Sequence, residues 1–207
     1  MKKLVLGTRS KRRIELLERL GVKPIVIPPR SIVEKTTGDP RDIVLYNARA
    51  KMESVLLDPR LPRENAVVIT ADTVIADPEG FVYGKPGSIE ANKLFLERLR
   101  GRWHRVLTGV VVYDVDTYTM EEFVEETRVK MRSYSDREIE LYTACLEGVD
   151  KAGGYALQGI GALLVEMIVG DPYNVIGLPL SRLHTVLLRH GVNLLEYALV
   201  RRVVKRL

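Results

Sequence analysis

The chain has 207 residues, 46% of them hydrophobic and 6% aromatic, with a formal net charge of +5. That length supports one sizeable core and is short for two large domains, and the single cysteine, Cys145, excludes an internal disulfide. No apolar run approaches the ~18 residues of a membrane span and no secretory leader pattern opens the chain, so the expectation is a soluble, cytoplasmic protein with one domain over residues 1–207.

Lys3 to Gly7 reads as a first strand. Thr8-Arg9-Ser10 offers an N-cap, and Lys11 to Leu20 places Ile14, Leu17 and Leu20 on one helical face before Gly21 stops it. Val22 to Ile27 reads as a second strand, and Ser31 to Asp39, which contains Glu34, as polar loop. Pro40 opens a long helix to about Leu57, with Ile43 or Val44, Ala48, Met52 and Val55 at helical spacing. Val67-Val68-Ile69-Thr70 is a buried strand that delivers Asp72 and Thr73 and continues as Val74-Ile75-Ala76. Asp77-Pro78-Glu79-Gly80 has turn chemistry, and Phe81-Val82-Tyr83 returns towards Gly84-Lys85-Pro86.

Beyond this hairpin, Ser88 to Leu99 is a predicted helix with Ala91, Leu94, Phe95 and Leu99 apolar. Arg105 to Asp116 and Val124 to Tyr134 read as long strands, the second with one wet face. Ser135 and Glu138 form a capping box for a helix to Leu146, in whose apolar pattern Cys145 reads as a packed core thiol. Asp150 to Gly161 is glycine-rich loop, Ala162 to Val169 strand, Asp171 to Pro179 loop, Leu180 to Arg189 helix, and Leu194 to Arg206 helix with a solvated basic end from Arg201. This mixture predicts an α/β fold with a mixed, twisted sheet and flanking helices.

Three segments carry candidate chemistry. Thr8 to Arg13 puts basic side chains at a strand–helix junction, where unpaired N–H groups and the helix dipole favour an anion; a solvated basic helix start is the alternative. Consecutive helical residues splay by about 100°, so Lys11, Arg12 and Arg13 do not all reach one ligand. Asp72 is a carboxylate inside an apolar strand with Lys85 at the end of the partner strand, open to either turn chemistry or catalysis. Asp150 to Gly161 combines Lys151 and Gln158 with glycines that let a ligand approach the backbone, or simply shape a turn. Together, three cation-bearing loops and one embedded carboxylate favour a polyphosphate over any single reading. The Walker signature, an opening GxGxxG and a GxSxG are all missing, and His104, His184 and His190 lack zinc spacing. With few aromatics interleaved among the basic residues, specific nucleic-acid binding is not expected. Arg outnumbers Lys and Gln158 is the sole glutamine, a composition that leans towards a thermophilic source.

These segments resemble the Maf family, the septum-formation-inhibitor-like nucleoside triphosphate pyrophosphatases. Leu6 to Leu17 is similar to that family's LASxSPRRxELL, Ala71-Asp72-Thr73 and Gly84-Lys85-Pro86 to ADT…GKP, and Arg100 to Val110 to SGxxHxVxTxV. Asp150 to Gly161 is similar to DKAGxYxxQGxG and Gly170 to Pro179 to GDYxxVxGLP, so the likeness runs in order along nearly the whole chain. It departs at Gly7 and Thr8 for Ala-Ser, at Lys11 for Pro, and at Pro172 for an aromatic.

The resemblance implies a bent mixed β-sheet with two lobes around a cleft, similar to inosine triphosphate pyrophosphatase. It implies hydrolysis of a nucleoside triphosphate to the monophosphate and pyrophosphate with a divalent cation, Mg or Mn. Asp72 carries over as general base, and Ser10, Arg12, Arg13, Lys51, Lys85 and Lys151 as triphosphate contacts. Arg12, Thr73 and Gln158 resemble the dTTP/UTP-preferring branch and its role in cleaning nucleotide pools, rather than the branch preferring 7-methyl-GTP. Asp72 is equally a candidate metal ligand, with Glu34 as a second carboxylate. A nucleotide-sensing protein acting on septation is the rival class, and both monomer and homodimer stay open.

Overall fold

The apolar run of the central segment forms one continuous strand, β3 (Ala66–Ala76), and the sheet is arranged around it. The computed structural model describes residues 1–30 and 32–204, with side chains to residue 199. The expected basic end, Arg201 to Arg206, therefore lies outside the described side chains. On one side β3 pairs in parallel with β1 (Lys3–Gly7), which pairs in parallel with the short β2 (Ile25–Val26). On its other side it runs antiparallel to β5 (Trp103–Asp114), followed by β6 (Met120–Met131) and β7 (Val165–Val169). β4 (Val82–Tyr83) folds back on the far end of β3. The result is a seven-stranded mixed sheet in the order β2-β1-β3-β5-β6-β7, the α/β fold that the sequence predicts.

Parallel neighbours need crossovers, supplied by α1 (Lys11–Arg19) and α2 (Pro40–Leu56). Asp39 caps α2 by accepting from the Arg41 amide at 2.8 Å, with Pro40 at the position that needs no N–H. Ser88 caps α3 (Ile89–Leu99), and the expected capping box of Ser135 and Glu138 starts α4 (Asp136–Ala144). α6 (Leu180–Arg189) has its predicted bounds, and α7 (Leu194–Val204) follows it.

Several expectations are corrected. β2 is two residues long because Pro24 has no N–H to extend the pairing. The segment read as loop after Asp171 contains a short helix, α5 (Pro172–Ile176), with Asp171 as N-cap, Pro172 at its start and Gly177 at φ 116° as its stop. Cys145 is exposed rather than packed, since α4 ends at Ala144 and the thiol sits in its cap. On α3 the buried residues are Asn92, Leu96 and Leu99, and Leu94 faces solvent.

The two faces of β3 build different cores. Val68 packs with Ala48, Met52 and Val55 of α2, and Val74 and Ala76 pack with Ile43 and Val44 of the same helix. On the opposite face Val67, Ile69 and Ala71 meet Leu16 and Leu17 of α1 and Leu183 and Leu187 of α6. Further along that face Ile75 meets Leu96 of α3 and Ile139 and Tyr142 of α4. One face thus carries two helical groups with a junction between them.

β6 ties both layers by charge. Glu122 and Glu126 pair with Arg49 and Arg41 of α2, while Glu121 and Glu125 pair with Arg189 and Arg182 of α6. Alternation along a strand sends the even and odd carboxylates to opposite faces, and each finds the helix covering that face. Among the described residues no helix is long and apolar enough to cross a membrane.

His104 is 1% exposed in the core beneath the glycine-rich loop, with Nε2 2.8 Å from the Tyr155 hydroxyl. Burial pushes its pKa down from the ordinary 6.5 to about 4. The folded state therefore binds fewer protons than the unfolded chain in that window. His104 supports the fold fully above about pH 6.5 and loses that support as pH falls towards 4. Denaturant unfolding of the parent and His104→Gln across this range should show the parent losing up to ~2–3 kcal/mol relative to the variant.

Candidate active site

Register places a gap in the sheet. β1 ends at Gly7, opposite Thr70, and β4 first pairs at Ile75, so Ala71 to Val74 have no strand on that edge. The turn Thr8-Arg9-Ser10 and the start of α1 fill the opening. Ser10 is the N-cap of α1, its side chain makes no capping bond, and its amide donates to Thr8 Oγ1 at 3.0 Å. Among the described residues no side chain accepts from the first-turn amides of α1, which begins beside the gap.

Asp72 lies in this gap, on the α2 side of the sheet. Across from it in β5 stands Gly109, where a Cβ would come within 2.6 Å of the Val44 carbonyl. Because that position has no side chain, α2 lies close enough to reach the carboxylate. Lys51 donates to Asp72 Oδ1, and its ammonium also meets Glu34 Oε1 at 3.1 Å. Asn47, one turn earlier on the same helix, donates to Asp72 Oδ2 at 2.9 Å. In the sequence Asn47 is marked only as a polar residue within the apolar stripe of α2.

The basic residues of α1 divide as helix geometry requires. Lys11 is exposed. Arg13 is buried and donates from Nη1 to Ala71 O at 2.9 Å, from Nη2 to Thr73 Oγ1 at 2.9 Å and from Nε to Gly177 O at 2.7 Å. Burial lowers its pKa to about 10, against the attraction of Asp72. It braces the unpaired edge of β3. Thr73 also meets Thr108 Oγ1 at 2.9 Å and lies on the opposite face from Asp72, so adjacency in sequence does not put the two side chains together. Arg12 is half-buried and turns the other way; burial lowers its pKa, and the charges of Asp150 and Glu147 and the phenols of Tyr142 and Tyr155 oppose that.

Arg12 therefore faces the third predicted segment. Lys151 pairs with Asp150, whose pKa is lowered by that hydrogen bond and by Arg12. The hairpin end carrying Lys85 is stitched to this loop, with Gly153 N donating to Gly84 O at 3.1 Å and Gly87 N to Val149 O at 3.0 Å. Lys85 is exposed and makes no hydrogen bond or ion pair among the described residues. Gln158 sits on a turn moored by Glu147, which accepts from Ile160 N at 3.0 Å and Gly161 N at 2.8 Å. The Gln158 Nε2 is buried with no partner among the described residues. Asn92, also unmarked by the sequence reading, anchors the loop through Gly154 O at 2.8 Å.

Among the described residues no group of three or more His, Cys, Asp or Glu side chains is set to hold a metal. Asp72 and Glu34 do converge, on the Lys51 ammonium. Two carboxylates fit a hard divalent cation that takes its remaining ligands from phosphate oxygens and water.

A mixed α/β sheet, a clamped carboxylate in a gap of one strand edge, and cations on α1, α2 and two stitched loops define a polyanion-binding protein of enzyme type. The chain belongs to the Maf family: the family model described as Maf-like protein matches residues 3–190. It is 50% identical over 205 residues to a dTTP/UTP pyrophosphatase of Staphylothermus marinus, covering 99% of this chain and 97% of that one. A dTTP/UTP pyrophosphatase of Dictyoglomus thermophilum is 43% identical over 197 residues, 94% of this chain and 99% of that one. Among solved structures, a nucleoside-triphosphatase / dITP/XTP pyrophosphatase of Mycobacterium abscessus aligns loosely, at TM-score 0.45 and 14% identity, over 92% of this chain and 98% of that chain.

The bracing role of Arg13 is testable. In Arg13→Lys the ammonium cannot serve three acceptors set around a planar fork, and urea unfolding should show a loss of ~2–4 kcal/mol. A variant as stable as the parent would remove Arg13 from that role.

Proposed function

We propose that this protein hydrolyses a nucleoside triphosphate to the monophosphate and pyrophosphate, with dTTP and UTP as preferred substrates. The observation that carries the proposal is Asp72, held by one donor on each oxygen at the gap between β1 and β4 where α1 begins. The names of relatives up to 50% identical support the reaction and the pyrimidine preference. A cytoplasmic setting, where nucleoside triphosphates are held, goes with this reading.

The triphosphate lies against the amides of α1, with Ser10, Arg12, Lys51, Lys85 and Lys151 sharing its charge. Arg13 acts from behind, fixing the edge of β3. Asp72 has lone pairs beyond the two engaged by Lys51 and Asn47. It takes a proton from a water whose oxygen attacks the α-phosphorus, and the bond from that phosphorus to the α–β bridging oxygen breaks. A divalent cation bound by Asp72 and Glu34 would supply further neutralisation of the phosphate oxygens. Gln158, whose amide donor has no partner among the described residues, reads the base edge. Thr73 acts on specificity through Arg13 and Thr108 rather than from beside Asp72.

A panel of canonical and modified nucleoside triphosphates with Mg²⁺ or Mn²⁺, assayed for pyrophosphate, tests the reaction. Pyrophosphate should appear fastest from dTTP and UTP; orthophosphate as the first product would sink the α–β cleavage. Asp72→Asn should cut kcat by about 10²–10⁴-fold with the melting transition retained.

A further inference from the structure

Asn47 and Lys51 stand one helical turn apart, so both leave the same face of α2 and reach one carboxylate. Asn47 is 3% exposed. Its oxygen accepts from the Lys35 amide at 2.7 Å, and its Nδ2 donates to the Lys35 carbonyl at 3.0 Å and to Asp72 Oδ2 at 2.9 Å. These partners fix the amide orientation, because a flipped Asn47 would aim its oxygen at two acceptors. The packing of α2 asks only for an apolar side chain at this point, as at Ile43, Ala48 and Met52. A buried amide joined at every polar atom is there for its partners. Those partners are the carboxylate and the backbone next to Glu34.

We propose that Asn47 is a positioning residue for the hydrolysis. With Lys51 alone, the Asp72 carboxylate could turn about its Cβ–Cγ bond. The second donor fixes the carboxylate plane and keeps its remaining lone pairs at the gap. The same amide pins the loop bearing Glu34 to the same point, so both carboxylates take their positions from one side chain. This role rests on the reading of Asp72 as the group that moves the proton.

The test is a double-mutant cycle on pyrophosphate release from dTTP with Mg²⁺. Asn47→Leu removes every hydrogen bond, and Asn47→Asp keeps the acceptor for the Lys35 amide while losing both donors. In the parent each should lower kcat about ten- to hundredfold, with KM held within about threefold. In an Asp72→Asn background Asn47→Asp, which keeps the Glu34 loop pinned through the Lys35 amide, should not lower the residual kcat further, because the carboxylate its lost donor oriented is gone. Hydrogen exchange at the Lys35 amide should speed up in Asn47→Leu and stay protected in Asn47→Asp. An equal fractional loss in both backgrounds, or parent-like kcat in Asn47→Asp, overturns the positioning role alone. If Asn47→Leu does not fold, Asn47→Asp decides. Parent-like turnover in Asp72→Asn by itself overturns the reading of Asp72 and the positioning role with it.

Discussion

Helix α2 lies on the sheet with nothing between its backbone and Gly109, where a Cβ would come within 2.6 Å of the Val44 carbonyl. The contact recurs at Gly7, where a Cβ would come 2.6 Å from Thr70 Cγ2 and 2.8 Å from Val55 Cγ2. Thr70 then reaches up to the Ala48 carbonyl at 2.7 Å. This depth of seating is what lets side chains as short as Asn47 span to the carboxylate in β3. It also gives the departure at Gly7 a physical reason: Thr70 and Val55 occupy the room an alanine methyl would need. The interior is packed too closely for either helix or sheet to yield much. The geometry at Asp72 is thus set by packing on a whole face, and only completed by polar contacts.

The basic cluster at the start of α1 shows how one short stretch serves several ends. Lys11 meets solvent, Arg12 turns towards the loop of Asp150, and Arg13 is buried along the unpaired edge of β3. An edge without a partner strand leaves backbone groups that need satisfying, and Arg13 supplies a donor to Ala71 O. The opening beside Asp72 and the cation that repairs the edge are therefore consequences of one register, the end of β1 at Gly7.

Much of this is legible in sequence where the signal is local. The capping box at Ser135, the turn after Asp77 and the carboxylate inside an apolar strand are each written in a few adjacent residues, and each stands as read. Relations between elements are not written there. Period-two alternation already separates Asp72 from Thr73, yet what each faces depends on which helix covers which side. Asn47 and Asn92 look like ordinary polar breaks in helical stripes until partners 25 and 62 residues away are in place. Cys145 misleads for the converse reason: an apolar pattern continues past the point where α4 stops, so periodicity no longer reports burial. The short α5 was signalled by Asp171-Pro172 and Gly177 but is too brief for a periodic pattern.

The four-way charge pairing of β6 constrains how this chain can vary in length. Glu121 and Glu125 belong to α6, and Glu122 and Glu126 to α2, solely through the parity of their positions. Replacing one glutamate breaks one pair. Inserting or deleting a single residue early in the strand instead exchanges the two faces downstream, presenting Phe123 to the α2 side and charges to the apolar core. The strand tolerates changes of letter far better than changes of frame. A change of length leaves both faces in place only at the strand's ends, in the Asp114–Thr119 turn or beyond Met131.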